Sequence, residues 1–262
     1  MKRIIYLIVV SIGLLTSCKK QELVETTVYE KIQPADPKYS FFKVVNLSAG
    51  SPAVNYFLDG TKSSGLYSTT GVEGGVVFNG LFPSTGYAVT TPGNHTLSAK
   101  LTTAAVPVAD RGLEVFTSPY NMAPGKYYTI VTGGVYNTTS KKIESSLVFE
   151  DTKIALDTSK IFIRFANLYT GSPNVDLIQT FGGVSTKIAT NVAFGKTSDF
   201  ASMPNPGKAN VYSITNSATG AVVASFTTAI TLVKGTAVTL YLRGVAGNAT
   251  YPPAFTFWTT FY

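Results

Sequence analysis

The chain has one cysteine and one histidine in 262 residues, and each scarcity excludes a class of site. An internal disulfide needs two cysteines, so Cys18 cannot form one. A zinc site with the usual ligands is excluded because His95 is the only histidine. No Asp-x-Asp-x-Asp run is present to form a calcium loop. The sequence therefore predicts neither a metal site nor a cofactor.

Signals for catalysis are equally sparse, and we predict that the protein is not an enzyme. There is no Gly-x-Ser-x-Gly elbow, and His95 follows a Pro-Gly turn, which is typical of a surface histidine at a strand end. A glycoside hydrolase needs two converging carboxyl groups. The acidic residues at predicted loops and strand ends are typical of solvated or turn-capping side chains, and they are Asp59, Glu73, Asp110, Glu114, Asp176 and Asp199. Asp151, next to Glu150, is predicted to lie in a polar linker.

Charged residues make up only 13% of the chain, and the basic ones are scattered. Beyond Lys2-Arg3, the only basic pairs are Lys19-Lys20 and Lys141-Lys142, whereas nucleic-acid-binding proteins concentrate Lys and Arg on one face. A nucleic-acid partner is therefore excluded.

The first residues are typical of an exported protein. Lys2 and Arg3 precede an apolar stretch, residues 4–15, that is too short to span a bilayer as a helix. Residues 15–18, Leu-Thr-Ser-Cys, resemble the bacterial lipobox, which implies a signal peptide over residues 1–17 and a lipid on Cys18. The alternative is an incidental thiol after an ordinary signal peptide.

A lipid on Cys18 gives the membrane as the first predicted partner, because several buried acyl chains anchor a protein durably. We expect the chain to be anchored in the outer membrane, facing either the periplasm or the cell surface. Removal of Lys2 and Arg3 lowers the formal net charge by two, from +7 to +5.

The mature chain is predicted to be all-β and to have two domains. Residues 18–39 are polar, end in two prolines, and form a predicted tether; residues 40–155 and 156–262 form the predicted domains. Short runs of β-branched and aromatic residues alternate with turn residues, as in sandwiches or barrels. The predicted strands are 41–47, 54–58, 95–101, 126–132, 145–149, 161–167, 210–215, 222–228, 238–243 and 254–262.

An internal repeat supports two domains. The pattern N-L-x-x-G-S-P-x-V at residues 46–54 returns at 167–175, where six of nine positions are identical. Pro-Gly turns follow in both halves, and residues 125–135 align with 235–245. The Gly-Ser-Pro turn suits a chain reversal, since glycine permits unusual backbone angles and proline fixes φ.

These blocks resemble the domain-of-unknown-function 4397 family, found in envelope lipoproteins of Bacteroidetes-type bacteria, in two tandem copies. Asp59-Gly60 fits the family pattern in the first copy, whereas Gln179-Thr180 departs from it in the second. The resemblance implies tandem immunoglobulin-like β-sandwich domains, and it brings no catalytic or binding residues.

Aromatic residues are the one feature that points to a contact surface, because exposed rings stack on sugars or anchor partners. The candidates are Tyr127, Tyr128, Tyr169, Tyr251 and Trp258. The alternative is that these rings fill the sandwich cores. We predict a non-catalytic binding, adhesion or envelope-assembly module with a protein or glycan partner; a glycan-binding accessory protein is the alternative, and a hydrolase is a third hypothesis.

Overall fold

The computed structural model describes residues 30–65, 71, 73–102, 106–226 and 228–262. The predicted signal peptide and Cys18 lie outside the described residues. The chain divides into two compact units, Met1–Gln33 and Pro34–Tyr262, and the fold below is that of the second. Within the described ranges, no helix has the length and apolar composition needed to cross a bilayer.

The second unit is built almost entirely of strands, with one short 3-10 helix at Val108–Asp110. The strands of the first half are β1 Ser40–Asn46, β2 Val54–Leu58, β3 Thr61–Lys62, β4 Gly80–Phe82, β5 Ala88–Thr90, β6 Gly93–Leu101, β7 Glu114–Met122, β8 Tyr127–Gly133 and β9 Ser145–Glu150. Those of the second half are β10 Ile161–Asn167, β11 Val175–Phe181, β12 Val184–Val192, β13 Lys196–Thr197, β14 Ala201–Ser202, β15 Val211–Asn216, β16 Val222–Ser225, β17 Thr236–Arg243 and β18 Ala254–Phe261.

These strands form four sheets, two in each half. The first inner sheet has the order β4-β1-β8-β9 with β5 also paired to β1, and the first outer sheet has the order β3-β2-β6-β7. The second inner sheet has the order β13-β10-β17-β18 with β14 paired to β10, and the second outer sheet has the order β12-β11-β15-β16. The all-β, immunoglobulin-like sandwich class predicted from the sequence is confirmed.

Each inner sheet is organised around one parallel pair, β1 with β8 and β10 with β17. Strands of these pairs are buried along nearly their whole length, as strands covered on both faces should be. One face of each inner sheet packs on the core of its own sandwich, and the other face packs against the inner sheet of the other half.

The repeated asparagine of the N-L-x-x-G-S-P pattern is fully buried in both halves and closes the end of the first strand. Asn46 donates to the carbonyl of Val76 over 3.1 Å, and Asn167 donates to the carbonyl of Val192 over 3.0 Å. The segments after Val76 and after Val192 are also held in the same way in both halves. The N–H of Asn79 donates to the backbone carbonyl of Asn46, and the N–H of Gly195 donates to that of Asn167.

Candidate functional site between the two sandwiches

Residues of both halves form two shared apolar clusters where the inner sheets meet. The first cluster comprises the buried residues Val45, Leu47, Val131, Ala166, Leu168, Tyr241 and Trp258. The second comprises Phe41, Tyr127, Ala237 and Phe261. The two sandwiches therefore bury apolar surface against each other, which stabilises their contact by roughly 25 cal/mol per Å² of apolar area removed from water.

A buried ion pair joins the two halves between these clusters. Arg164 Nη2 lies 2.5 Å from Asp151 Oδ1, and both side chains are buried. Asp151 Oδ2 accepts hydrogen bonds from Thr129 Oγ1 over 2.5 Å and from Tyr87 Oη over 2.9 Å. Arg164 also donates to Thr239 Oγ1, over 3.0 Å from Nη2. Asp151 does lie in the segment between β9 and β10, as predicted, but its carboxylate is buried in an ion pair and is not a solvated linker group.

Lys43 occupies in the first half the position that Arg164 occupies in the second. Each is opposite a threonine of the parallel partner strand, Thr129 for Lys43 and Thr239 for Arg164. Lys43 is fully buried, and its Nζ donates to the carbonyl of Thr259 over 3.2 Å. Burial lowers the pKa of Lys43 to about 8, with the attraction of Asp151 opposing this shift and the repulsion of Arg164 adding to it.

Tyr87 completes this polar cluster. Burial, followed by the charge of Asp151, raises the pKa of the Tyr87 phenol far above its usual range, so the hydroxyl stays protonated and donates. The tyrosine ring lies 4.8 Å from Lys43 Nζ. The cluster therefore has a structural role, because it brings cations from equivalent positions of both halves near one buried carboxylate.

On one flank of the interface, the contact between the halves is closed by an aromatic ring. Tyr241 is almost fully buried, and its hydroxyl donates to Asn79 Oδ1 of the first half over 2.7 Å. Beside it, Phe78 lies edge-on to Tyr251 at a centroid distance of 4.9 Å and under the guanidinium of Arg243 at 5.4 Å.

On the opposite flank, the equivalent contact leaves a cleft of about 200 Å³. Apolar side chains from both halves line it, namely Leu47, Val131, Leu147, Leu168 and Phe194.

The remaining lining residues of this cleft are Gly133, Gly134, Ser145 and Thr170, so its only side-chain polar groups are two hydroxyls. Phe194 is 42% exposed and lies where the cleft can be reached from solvent. A cleft with these walls favours an apolar ligand.

The difference between the two flanks follows from three pairs of equivalent residues. In the alignment of residues 125–135 with 235–245, Val131 corresponds to Tyr241 and Gly133 to Arg243. The turn residue Gly195 corresponds to Asn79, as their shared hydrogen bonds to the repeated asparagine indicate. The cleft flank therefore lacks the ring and the guanidinium on the side of the first half, and the amide on the side of the second half.

A second, polar pocket of about 230 Å³ lies beside the buried ion pair. It is lined by Glu150, Thr152, Ile154, Arg164, Thr197, Ser198, Asp199 and Phe200. Phe200 lies under the Arg164 guanidinium at 4.9 Å, so one face of its ring is already in use.

The five rings proposed as contacts do not form an exposed platform. Tyr127, Tyr128, Tyr169 and Trp258 are each less than a tenth exposed, and Tyr251 is half-buried. Tyr128 and Tyr169 belong to the cores of the two sandwiches, whereas Tyr127 and Trp258 belong to the clusters between them. Their placement favours the alternative that the rings fill cores.

His95 is not the surface residue that we predicted. It is only 7% exposed, and its Nδ1 lies 2.6 Å from Asp59 Oδ2 while Nε2 lies 2.7 Å from the carbonyl of Thr91. The hydrogen bond from His95, followed by one from the Thr96 backbone, lowers the pKa of Asp59. Both ring nitrogens are thus engaged in structural contacts.

Three of the other acidic candidates are also tied to local partners. Glu73 pairs with Lys62, Asp110 with Lys141, and Asp176 with Lys187. Asp176 additionally accepts from Asn191 N–H and Ser217 Oγ, and these contacts lower its pKa against the opposing effect of burial, which is the largest single influence. Over the described part of the chain, no three His, Cys, Asp or Glu side chains are grouped so as to hold a metal ion.

The chain matches a family model described as domain of unknown function (DUF4397) over residues 40–178, which is more than half of its length. The chain belongs to the DUF4397 family. The DUF4397 match covers the first sandwich, β10 and part of β11. No curated protein matches the chain significantly.

Two solved structures show distant similarity to this DUF4397 chain. One is CBMbc (family CBM26) from Eubacterium rectale Amy13K in complex with maltoheptaose, at 12% identity over 84% of this chain and 97% of that chain, with a TM-score of 0.25. The other is a leucine-rich repeat protein from Bacteroides thetaiotaomicron VPI-5482, at 10% identity over 77% of this chain and 26% of that chain, with a TM-score of 0.19. At these TM-scores, neither similarity informs the function of the DUF4397 chain.

Proposed function

We propose that this protein is a non-catalytic binding module of the bacterial envelope and that it binds an apolar ligand in the cleft between its two sandwiches. The observation that carries the proposal is the cleft itself, because both halves contribute its walls and it is the flank on which their contact is incomplete. Clefts at domain interfaces are frequent ligand sites.

The chemistry of the cleft supports binding rather than catalysis. Its lining residues include no carboxylate, amine, imidazole or thiol, and Ser145 and Thr170 contribute only hydroxyls. General acid-base catalysis needs a group that titrates within reach of the substrate. A ligand in this cleft would therefore be held by apolar contacts and leave unchanged.

Xenon tests this proposal in solution, since a monatomic apolar gas enters apolar cavities without needing polar partners. The full chain with Cys18→Ser, labelled at its methyl groups, is expected to show xenon-dependent NMR shifts at Leu47, Val131, Leu147 and Leu168. A Val131→Phe variant should lose those shifts, because the added ring fills the cleft. Shifts that are absent from the wild-type chain, or confined to the sandwich cores, would reject the cleft as a binding site.

The cellular location is part of the same proposal. The lipobox-like residues 15–18 support acylation of Cys18, removal of the signal peptide and anchoring of the body in the outer membrane. We place the chain among tandem DUF4397 lipoproteins of Bacteroidetes-type bacteria, supported by the repeated pattern at residues 46–54 and 167–175 and by the matching strand order of the two halves.

Metabolic labelling with an alkyne-bearing palmitate checks the anchor. The wild-type chain should carry the label and sediment with outer membranes, whereas Cys18→Ser should do neither. Protease treatment of intact cells then separates the two orientations, since a surface-facing body is cleaved before lysis and a periplasmic body only afterwards.

A glycan ligand is the second candidate, and the polar pocket favours it. Glu150 and Asp199 offer carboxylate acceptors there, and Thr197 and Ser198 offer hydroxyls. Sugars are bound by such acceptors next to an aromatic ring, which Phe200 supplies. Calorimetric titration with oligosaccharides checks this candidate, with Asp199→Ala expected to abolish any heat of binding and Asp157→Ala, at an exposed carboxylate elsewhere, expected to preserve it.

A further inference from the structure

We infer that the cleft between the sandwiches takes a single six-membered aromatic ring that carries at most one hydroxyl group. This inference deepens the proposed function and rests on it, because it names the ligand class of the same site. On its other flank, the molecule contains a filled counterpart of this cleft.

The filled counterpart is the flank closed by Tyr241. There, one phenol ring reaches from the second inner sheet to the turn of the first half, where Asn79 accepts from its hydroxyl over 2.7 Å. On the cleft side, Val131 stands at the position of Tyr241 and Gly195 at the position of Asn79. Relative to the filled flank, this side lacks an aromatic ring and its hydrogen-bond partner. Leu147 takes up part of that space, because it lies opposite Val131 where the smaller Thr256 lies opposite Tyr241, and a Cβ at Gly195 would meet it at 3.2 Å.

The volume of the cleft agrees with one ring. A dry cavity of about 150 Å³ lined by aliphatic and aromatic side chains holds benzene. The cleft, at about 200 Å³, has room for such a ring with one or two further heavy atoms. Two fused rings with substituents would exceed it.

The walls also suit a flat ring. Phe194 offers an aromatic face at the mouth, and ring pairs gain about 0.5–1.5 kcal/mol beyond the area that they bury. Gly133 and Gly134 contribute no side chain to the wall, and Ser145 Oγ lies 2.8 Å from where a Cβ of Gly134 would be, so that side is formed by backbone and one hydroxyl. A saturated ring of the same size is thicker and gains nothing from the aromatic wall.

The polar groups of the cleft limit the polarity of the ligand. Because Gly195 has no side chain, the hydroxyl of a bound phenol cannot be held as Asn79 holds Tyr241. Ser145 and Thr170 are the lining residues whose side chains can exchange a hydrogen bond with it. A ligand with a charge or several polar groups would lose its hydration without compensation.

The test compares p-cresol and toluene with methylcyclohexane, which matches toluene in size but lacks the aromatic ring. Each is titrated into the full chain carrying Cys18→Ser, and binding is followed by the methyl NMR shifts of Leu147 and Leu168. We expect dissociation constants for p-cresol and toluene at least tenfold lower than that for methylcyclohexane.

Two variants locate the site. Val131→Phe places a ring where Tyr241 lies in the second half, and we expect it to weaken toluene binding at least tenfold. Val148→Phe adds the same ring at a position of β9 that is 50% exposed, and binding should stay within twofold of wild type. Urea unfolding of both variants shows whether they retain the wild-type fold, and a Leu147→Phe variant replaces Val131→Phe if the latter does not.

Each outcome decides a different claim. Tight binding of both aromatic compounds, lost in the cleft-filling variant, supports the inference. Equal binding of methylcyclohexane overturns the aromatic preference but leaves the cleft as an apolar binding site. Absence of binding by all three compounds, together with no response to xenon, overturns the proposed function as well.

Discussion

Arg164 of the second sandwich and Asp151, at the end of the first, form a buried ion pair with 2.5 Å between Nη2 and Oδ1. Lys43, the equivalent of Arg164 in the first sandwich, is buried near the same carboxylate. Two equivalent cations of the two halves thus share one anion that lies just after β9. Because buried charges are costly unless paired, this cluster constrains how the sandwiches pack.

Removal of the shared carboxylate should be strongly destabilising. Asp151→Asn removes the buried counter-ion of Arg164 and Lys43, and breaking a buried pair in this way costs about 3–5 kcal/mol of unfolding free energy. Urea unfolding measures the loss. Glu150→Gln is the matched control, since Glu150 and its partner Lys126 are both about half exposed and solvent screens such pairs. Similar small losses in both variants would contradict a structural role for the cluster.

The stability of the protein should rise between pH 8 and 9.5, because the buried Lys43 loses its proton more readily in the folded state than in the unfolded chain. Its folded pKa of about 8 lies below the unfolded value of 10.5, so the unfolded chain binds more protons in this window. Stability then rises with pH, by about 1–2 kcal/mol over the window. Unfolding free energies measured at several pH values should show this rise in the wild-type chain and not in Lys43→Met. A flat or falling wild-type profile would show that Lys43 is not desolvated.

The repeated asparagine should contribute a similar amount to the free energy of unfolding in both halves. Asn46→Ala leaves the Val76 carbonyl and the Ser48 N–H without their side-chain partner, and Asn167→Ala does the same to the Val192 carbonyl. Each loss should cost about 2 kcal/mol, because buried polar groups are left unpaired. Chemical denaturation checks this, with Asn121→Ala at an exposed position of β7 as the control. Losses no larger than that of the control would mean that the motif is not structural.

The contact between Asp59 and His95 should contribute to stability near neutral pH and lose that contribution in acid. The pKa of Asp59 is lowered in the folded state, so its contribution is present above about pH 4 and is lost as pH falls through the folded pKa. Asp59→Asn should therefore be less stable than wild type at pH 6, by less than about 1 kcal/mol because Asp59 is half exposed. The two proteins should converge near pH 2. A difference that persists there would point to a cause other than ionisation.

Much of the fold could be predicted because strands leave a local record in the sequence. The strands at residues 54–58 and 161–167 were predicted with their observed bounds, and most others lie within two residues of the predicted ends. Among the longer strands, β7, β11 and β12 were missed, and so were the short strands β3, β4, β5, β13 and β14. In β12, residues 184–187 are all exposed, so the strand has no apolar alternation there that a sequence pattern can detect.

The final strand shows how a local irregularity defeats alternation. A regular strand would put Phe255, Phe257 and Phe261 on the same face. The pairing of β18 with β17 shifts register between Ala237 and Val238, so Phe261 joins a cluster between the sandwiches while Phe255 remains in the core of the second sandwich. Such a bulge reverses the face of every later residue.

The candidate site could not be predicted from the sequence, because it depends on how the two halves pack against each other. Asp151 has the flanking composition of a loop, and only the approach of Arg164 from the second sandwich turns it into a buried anion. The cleft likewise results from what Val131 and Gly195 lack relative to Tyr241 and Asn79. The repeat alignment contained part of that signal, in the Val-to-Tyr and Gly-to-Arg differences at 131 and 133.

The cleft exists only while the two inner sheets stay packed, so calorimetric unfolding of the full chain carrying Cys18→Ser tests the central claim most directly. The shared clusters and the buried ion pair predict one transition, with equal calorimetric and van't Hoff enthalpies. Asp151→Asn should lower the stability of the whole body rather than of one half. Two separate transitions in the wild-type chain, with only one of them shifted by Asp151→Asn, would contradict a single body built around the interface.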